Sequence, residues 1–160
     1  MADLYAVAGA TFFIGSAAMT VPNDDVDEAD FAGVTWIEVD GWQTMGAIGD
    51  ASAEIATDII NRGRTVVQKG TKRAPASQNN FAVNTADPGQ IAMKAAANSK
   101  SNYPMRVLYD DAPPAGTASE QMWIGLVMSA QEAGGGANTA RMLNCNVAPN
   151  TNIVDIPAAA

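Results

Sequence analysis

One short segment restricts the fold of this 160-residue chain more than any other: "TADPGQIAMKAAANSK", residues 85–100. Asp87 stands where an N-cap side chain accepts from first-turn N–H groups. Pro88 takes the first helical position, and Gln90 lies three residues past the cap as a capping-box partner. "IAMKAAAN" is rich in helix formers, and Asn98, with Pro104 beyond it, marks the stop. Ile91, Ala92 and Ala95 are expected to form a narrow apolar stripe. A helix of about ten residues is marginal alone. It must lie against something, and nearly everything around it reads as strand.

"ATFFIGSAAMTVP" (10–22) reads as a strand broken near Gly15 and stopped by Pro22. "VTWIEVDGWQTMGAIG" (34–49) reads as two strands about a hairpin turn at Asp40-Gly41, with Ile37 and Val39 on one face and Trp36, Glu38 and Asp40 on the other. "AEIATDII" (53–60) fits either a strand or a helical turn. "NRGRTVVQKGTKRAPAS" (61–77) carries Arg62, Arg64, Lys69, Lys72 and Arg73; its start fits a strand and its second half a long, mobile, positive loop. "NNFAVNTA" (79–86) alternates as a short strand, and "YPMRVLYDDAPPAG" (103–116) is a strand running into a turn. "SEQMWIGLVMSAQEAGGGAN" (119–138) is a long strand with Met122, Ile124, Leu126 and Met128 on one side. Its expected antiparallel partner is "TARMLNCNVAPN" (139–150), where Leu143, Cys145 and Val147 alternate with Met142, Asn144 and Asn146. "TNIVDIPAAA" has no obvious partner. With no βαβ alternation and no repeat, the expectation is a mainly β fold: an antiparallel sandwich or barrel of seven or eight strands with one short flanking α-helix. A single domain over 1–160, with its core at about 10–155, suits this length.

Charge is unevenly laid out. Residues 1–61 hold eleven acids and no Lys or Arg, whereas residues 62–106 hold eight of the nine bases against Asp87 alone. Two solvated faces of opposite sign would account for this; so would self-complementarity, in which one copy's acidic surface meets the next copy's basic one. Only 16% of residues are charged, low for a chain that must stay soluble alone, and the net charge of −8 suits a poor nucleic-acid binder.

Chemistry is hard to find. The chain has no histidine, which removes His-based triads and metal sites, and its single cysteine, Cys145, reads as a small buried hydrophobe. "NDDVDEAD" (23–30) lacks EF-hand spacing and reads as a solvated acidic loop, and "AGGGAN" (133–138) completes no phosphate-loop pattern. Asp110 and Asp111 sit in a polar turn, and Trp36, Trp42 and Trp123 suit packing. No catalytic residue, metal or cofactor is expected, and the chain does not read as an enzyme. The uncharged run Leu4–Val21 raises export or a membrane span, but acidic rather than basic flanks argue against both, and no membrane insertion is expected.

The ordered series of a "WIEV" strand, a basic "KGTKRA" stretch, "DPGQ" opening a helix, "MRVLYDDAP", "MWIGLVMS" and "NTARMLNCNVAPNTNI" resembles the major tail tube protein of long, non-contractile-tailed, lambda-like bacteriophages. The resemblance covers roughly residues 10–155; the C-terminal immunoglobulin-like domain of some relatives is lacking. It implies a sandwich like the inner tubes of contractile tails and type VI secretion. It implies hexameric rings of this chain stacked into a tube, enclosing a tape measure protein and conducting viral DNA without specific binding. Tail terminator and distal tail or baseplate proteins are the further partners implied, with assembly in the bacterial host cytoplasm and residence in the virion. On this reading Glu38, Asp40, Glu54 and Asp58 are candidates for an acidic lumen, and Arg62, Arg64, Lys69, Lys72 and Arg73 for an inter-subunit loop. The alternative is an exported β-sandwich, a pilin- or adhesin-like subunit.

Overall fold

The computed structural model describes residues 4–160, so Asp3 of the acidic half lies outside the described residues. Among these, ten strands and one α-helix follow in the order β1 (Thr11–Gly15), β2 (Trp36–Val39), β3 (Trp42–Thr44), β4 (Ala51–Thr57), β5 (Val66–Arg73), β6 (Ser77–Ala82), α1 (Pro88–Asn98), β7 (Tyr103–Leu108), β8 (Glu120–Ala133), β9 (Met142–Pro149) and β10 (Val154–Ile156). Eight strands make one antiparallel sheet, ordered β2-β1-β7-β8-β9-β6-β3, with β10 paired to the first residues of β8. β4 and β5 form a separate two-stranded sheet.

The hairpin expected at Asp40-Gly41 is not there. β2 pairs with β1 and β3 with β6, at opposite ends of the sheet. Because only Asp40 and Gly41 separate them in sequence, the sheet must roll until its two outer strands adjoin. Gly41 makes the crossing at φ 79°, and a Cβ there would sit 2.6 Å from the Ala82 carbonyl oxygen, so only glycine fits. Rolling brings Phe12 of β1 edge-on to Trp42 of β3 at 5.5 Å and to Phe81 of β6 at 5.6 Å. Around them Ile14, Val39, Trp123, Leu143, Cys145 and Val147 are buried in one core. Each large apolar side chain buried there contributes roughly 1.5–3 kcal/mol, and each aromatic pair about 0.5–1.5 kcal/mol more. The result is the mainly β, sandwich-like fold with one flanking helix.

α1 closes one side of that core, but not with the stripe read from its sequence. Gly89, Met93 and Ala96 face inward and Ala92 packs partly against the core, whereas Ile91 is 55% exposed and Ala95 also faces outward. The reason lies at the first turn. Gly89 sits so close to β2 that a Cβ would lie 2.0 Å from the Glu38 carbonyl oxygen, and this contact sets the rotation of the whole helix.

β8 also departs from the expected phase. It is buried on both faces near its middle: Trp123 and Val127 enter the main core, while Met122 and Ile124 enter a second cluster with Val26 and Phe31. A register shift between Val127 and Ser129 then leaves Met128 exposed, and Leu126 is only half-buried. β9 alternates as expected, with Leu143, Cys145 and Val147 inside. The C-terminal extension does have partners, since β10 pairs with β8 and Thr117 bridges Ala159. Of the apolar run at the start, only Thr11–Gly15 is strand; Leu4, Tyr5 and Val7 are exposed. No helix among the described residues is long and apolar enough to cross a membrane.

Candidate functional site

The segment expected to hold a mobile positive loop is a β-hairpin arm. β5 pairs antiparallel with β4, bringing Glu54 opposite Lys69, Ser52 opposite Lys72 and Ala51 opposite Arg73. The alternation of "VVQKGTKR" hides no apolar face, because every residue of β4 and all of β5 except Gly70 are exposed. Arg62 and Arg64 lie in the turn at its tip. There the Thr65 hydroxyl donates to the Asp58 carboxylate at 2.6 Å, and the Arg62 N–H donates to the Ile59 carbonyl at 2.9 Å. Ile60 stands fully in solvent, and Ile55, Val66 and Val67 are exposed along the strands. An isolated ladder with wet apolar side chains on both faces lacks the cover that a third strand or a helix normally gives.

The four acids proposed together from sequence fall on two elements. Glu54 and Asp58 belong to the arm, where Glu54 stands opposite Lys69 and Asp58 accepts from Thr65. Glu38 and Asp40 belong to the main sheet, both exposed. Asp40 is tied by its backbone to the helix cap. Its N–H donates to Asp87 Oδ2 at 3.2 Å, and its carbonyl accepts from Gln90 Nε2 at 2.9 Å. Asp87 caps α1 by accepting from the Gln90 N–H at 2.8 Å, and Pro88 holds the first helical position. Gln90, however, does not close a capping box. Its buried amide accepts from the Asn84 N–H at 3.0 Å and donates to the Ala82 carbonyl at 2.7 Å, joining three chain segments.

Sequence reasoning missed a second feature, a cleft of about 570 Å³ between the acidic loop and the outer face of β7 and β8. The loop is not fully solvated. Asp27 and Asp30 form a reciprocal capping box on a 3-10 turn, Glu28–Phe31, and Val26 is buried. Within the cleft the Arg106 guanidinium lies 4.4 Å from the Phe13 ring and 5.2 Å from the Trp36 ring, with Glu120 at 3.6 Å. Its Nε is buried without a hydrogen-bond partner. Phe13-Ile14-Gly15 and Pro104-Met105-Arg106 carry no motif; only the cross-strand register Phe13–Arg106 brings the cation onto the ring.

Elsewhere, titratable groups serve packing. Burial pushes the Cys145 thiol up to about 12, which leaves it an unreactive core residue. Hydrogen bonds from Lys94 and Arg141 hold Glu132 below its ordinary value and tie α1 to the β8–β9 hairpin. Ser119 donates to Asp111 through its N–H and its hydroxyl, lowering that carboxyl. Among the described residues no group of three or more His, Cys, Asp or Glu is placed to hold a metal ion.

No protein-family model matches the sequence, and no curated protein matches it. Solved structures do share the fold. A chain of the 6-fold-symmetrised baseplate of the anti-feeding prophage aligns with TM-score 0.70 at 8% identity, covering 98% of both chains. The SPP1 tail tube protein aligns with TM-score 0.65 at 12% identity, covering 95% of this chain and 80% of its own. The rolled antiparallel sheet with one flanking helix is thus a fold that this chain shares with both of them.

Proposed function

We propose that this chain, acting as one tail-tube domain, is a structural subunit of a phage tail. Copies assemble into six-membered rings that stack into a tube, and the β4–β5 arm joins one copy to the next. The observation that carries this reading is the arm: basic, apolar at its tip, exposed on both faces, and without cover from its own chain. Likeness to a tail tube protein and to a 6-fold baseplate chain suggests which kind of assembly supplies the cover. In this reading Arg62, Arg64, Lys69, Lys72 and Arg73 make the inter-subunit contact. Glu38 and Asp40, exposed at the main sheet, line a bore that repels phosphate. Glu54, opposite Lys69 in the ladder, and Asp58, bonded to Thr65, lie on the arm and are assigned to it rather than to the bore. The tube would enclose a tape measure protein, meet terminator and baseplate proteins at its ends, and pass viral DNA without binding it, in a long non-contractile tail built in the host cytoplasm. Negative-stain electron microscopy of the concentrated protein tests the core claim. Hollow tubes or rings are expected; protein that stays monomeric across salt, pH and concentration overturns it.

A further inference from the structure

The arm needs a receiving surface, and the Arg106 cleft has the matching chemistry. We infer that the arm tip of one copy, residues 58–65, docks in the cleft of a second copy, with Ile60 against Trp36 and with Arg62 and Arg64 against the acidic rim of Glu28 and Glu120. This inference rests on the assembly reading above and names the partner surface.

Three observations support it. The signs are complementary: Arg62 and Arg64 are exposed at the tip, and the rim of the cleft carries Asp27, Glu28 and Glu120. The exposed apolar segment Leu4–Val7 offers no such match, because it brings no cation. The shapes also fit, since Ile60 is an uncovered apolar knob and the cleft is a hollow with an aromatic wall. Finally, the hydrogen-bonding needs agree. Arg106 Nε is buried without a partner and its other guanidinium nitrogens reach Glu120 no closer than 3.6 Å, while the arm's turn presents backbone carbonyls and the Asp58 carboxylate as acceptors. Glu120 is shared with Arg106 at 3.6 Å, and Asp27 and Glu28 leave the cleft net negative, so it still attracts a basic tip. Glu38 lies one strand beyond Phe13 in the same cross-strand row as Arg106, which puts the docked tip at the mouth of the proposed bore. A tip that fits a different patch on its neighbour is a heterologous contact, the type that produces rings and filaments rather than closed pairs.

The test uses full-length protein. Ile60→Cys and Ala29→Cys variants are mixed, assembled and treated with a short bismaleimide; buried Cys145 stays silent. A cross-linked dimer that requires both variants is expected, and Arg62→Glu with Arg64→Glu should lower its yield at least about tenfold. Adding Glu28→Lys to the cleft partner of that charge-reversed arm should restore part of the yield. If assemblies form but no dimer appears, the cleft is not the receptor, and the assembly reading stands. If the unmodified protein forms no assemblies, both fall.

Discussion

Asn152 holds Val26 by both of its backbone groups. The side-chain Oδ1 accepts from the Val26 N–H at 2.8 Å, and Nδ2 donates to the Val26 carbonyl at 3.0 Å. A side-chain amide here imitates a strand partner 126 residues away in sequence, and it pins the acidic loop over Met122 and Ile124. Asn152→Ala removes both bonds and should cost about 1–3 kcal/mol in urea unfolding. Asn152→Asp keeps the acceptor, loses the donor, and should fall between the alanine variant and the parent.

Gly41 predicts a second result. Gly41→Ala forces a side chain into the left-handed region and against the Ala82 carbonyl, so a loss of roughly 1–3 kcal/mol is expected. Gly63→Ala in the arm meets no atom within 4 Å and should leave the unfolding midpoint almost unchanged.

Trp123 and Leu126 separate the two possible phases of β8. Trp123 is fully buried in the main core, so Trp123→Ala should cost about 3–5 kcal/mol. Leu126 is half-buried, and Leu126→Ala should cost clearly less than Trp123→Ala when both are measured by thermal melting. Equal losses would show that both sides of the strand matter alike.

Cys145 makes a pH prediction. Its folded thiol is raised to about 12 by burial, above the value near 9 expected for an unfolded chain. A raised folded pKa contributes stability that is complete below the unfolded value and is lost as pH rises toward the folded one. Stability should therefore decline between pH 9 and 12, and Cys145→Ser should flatten part of that decline. Thiol reagents should label the native chain only as it unfolds.

For the proposed bore, reversing Glu38 and Asp40 to Lys should hinder DNA passage more than tube formation. Counting tails by microscopy and comparing that count with infectivity separates the two effects; an equal fall in both would place these acids in the assembly interface.

Much of the architecture could be read before any coordinates. The Asp87-Pro88 start is a local signal, and so is the alternation of Leu143, Cys145 and Val147, because one face of β9 is dry and the other is not. Pairing was harder. Asp40-Gly41 marks a turn, but a turn signal does not say which strand each side will join, and here the two sides join opposite ends of the sheet. The second half of β5 read as a loop because neither face of the strand is buried, which removes the pattern that a strand normally prints on its sequence. The middle of β8 misled for the opposite reason, both faces being buried. On α1, four alanines, a Met and an Ile allow several inward faces, and only the contact of Gly89 with β2 decides among them. Arg106 was legible only as one more base, since its rings arrive from β1 and β2.

A two-stranded ladder standing by itself is only marginally stable in water. An arm of this kind is expected to fray in the free subunit, and a lone encounter between two subunits would first meet the entropy of straightening it. At the growing end of the proposed tube the receiving surfaces would already be set in a ring, so that cost would be offset by several contacts formed together. Growth of this kind starts slowly and then runs fast, with a threshold concentration below which nothing elongates and a seed that removes the delay.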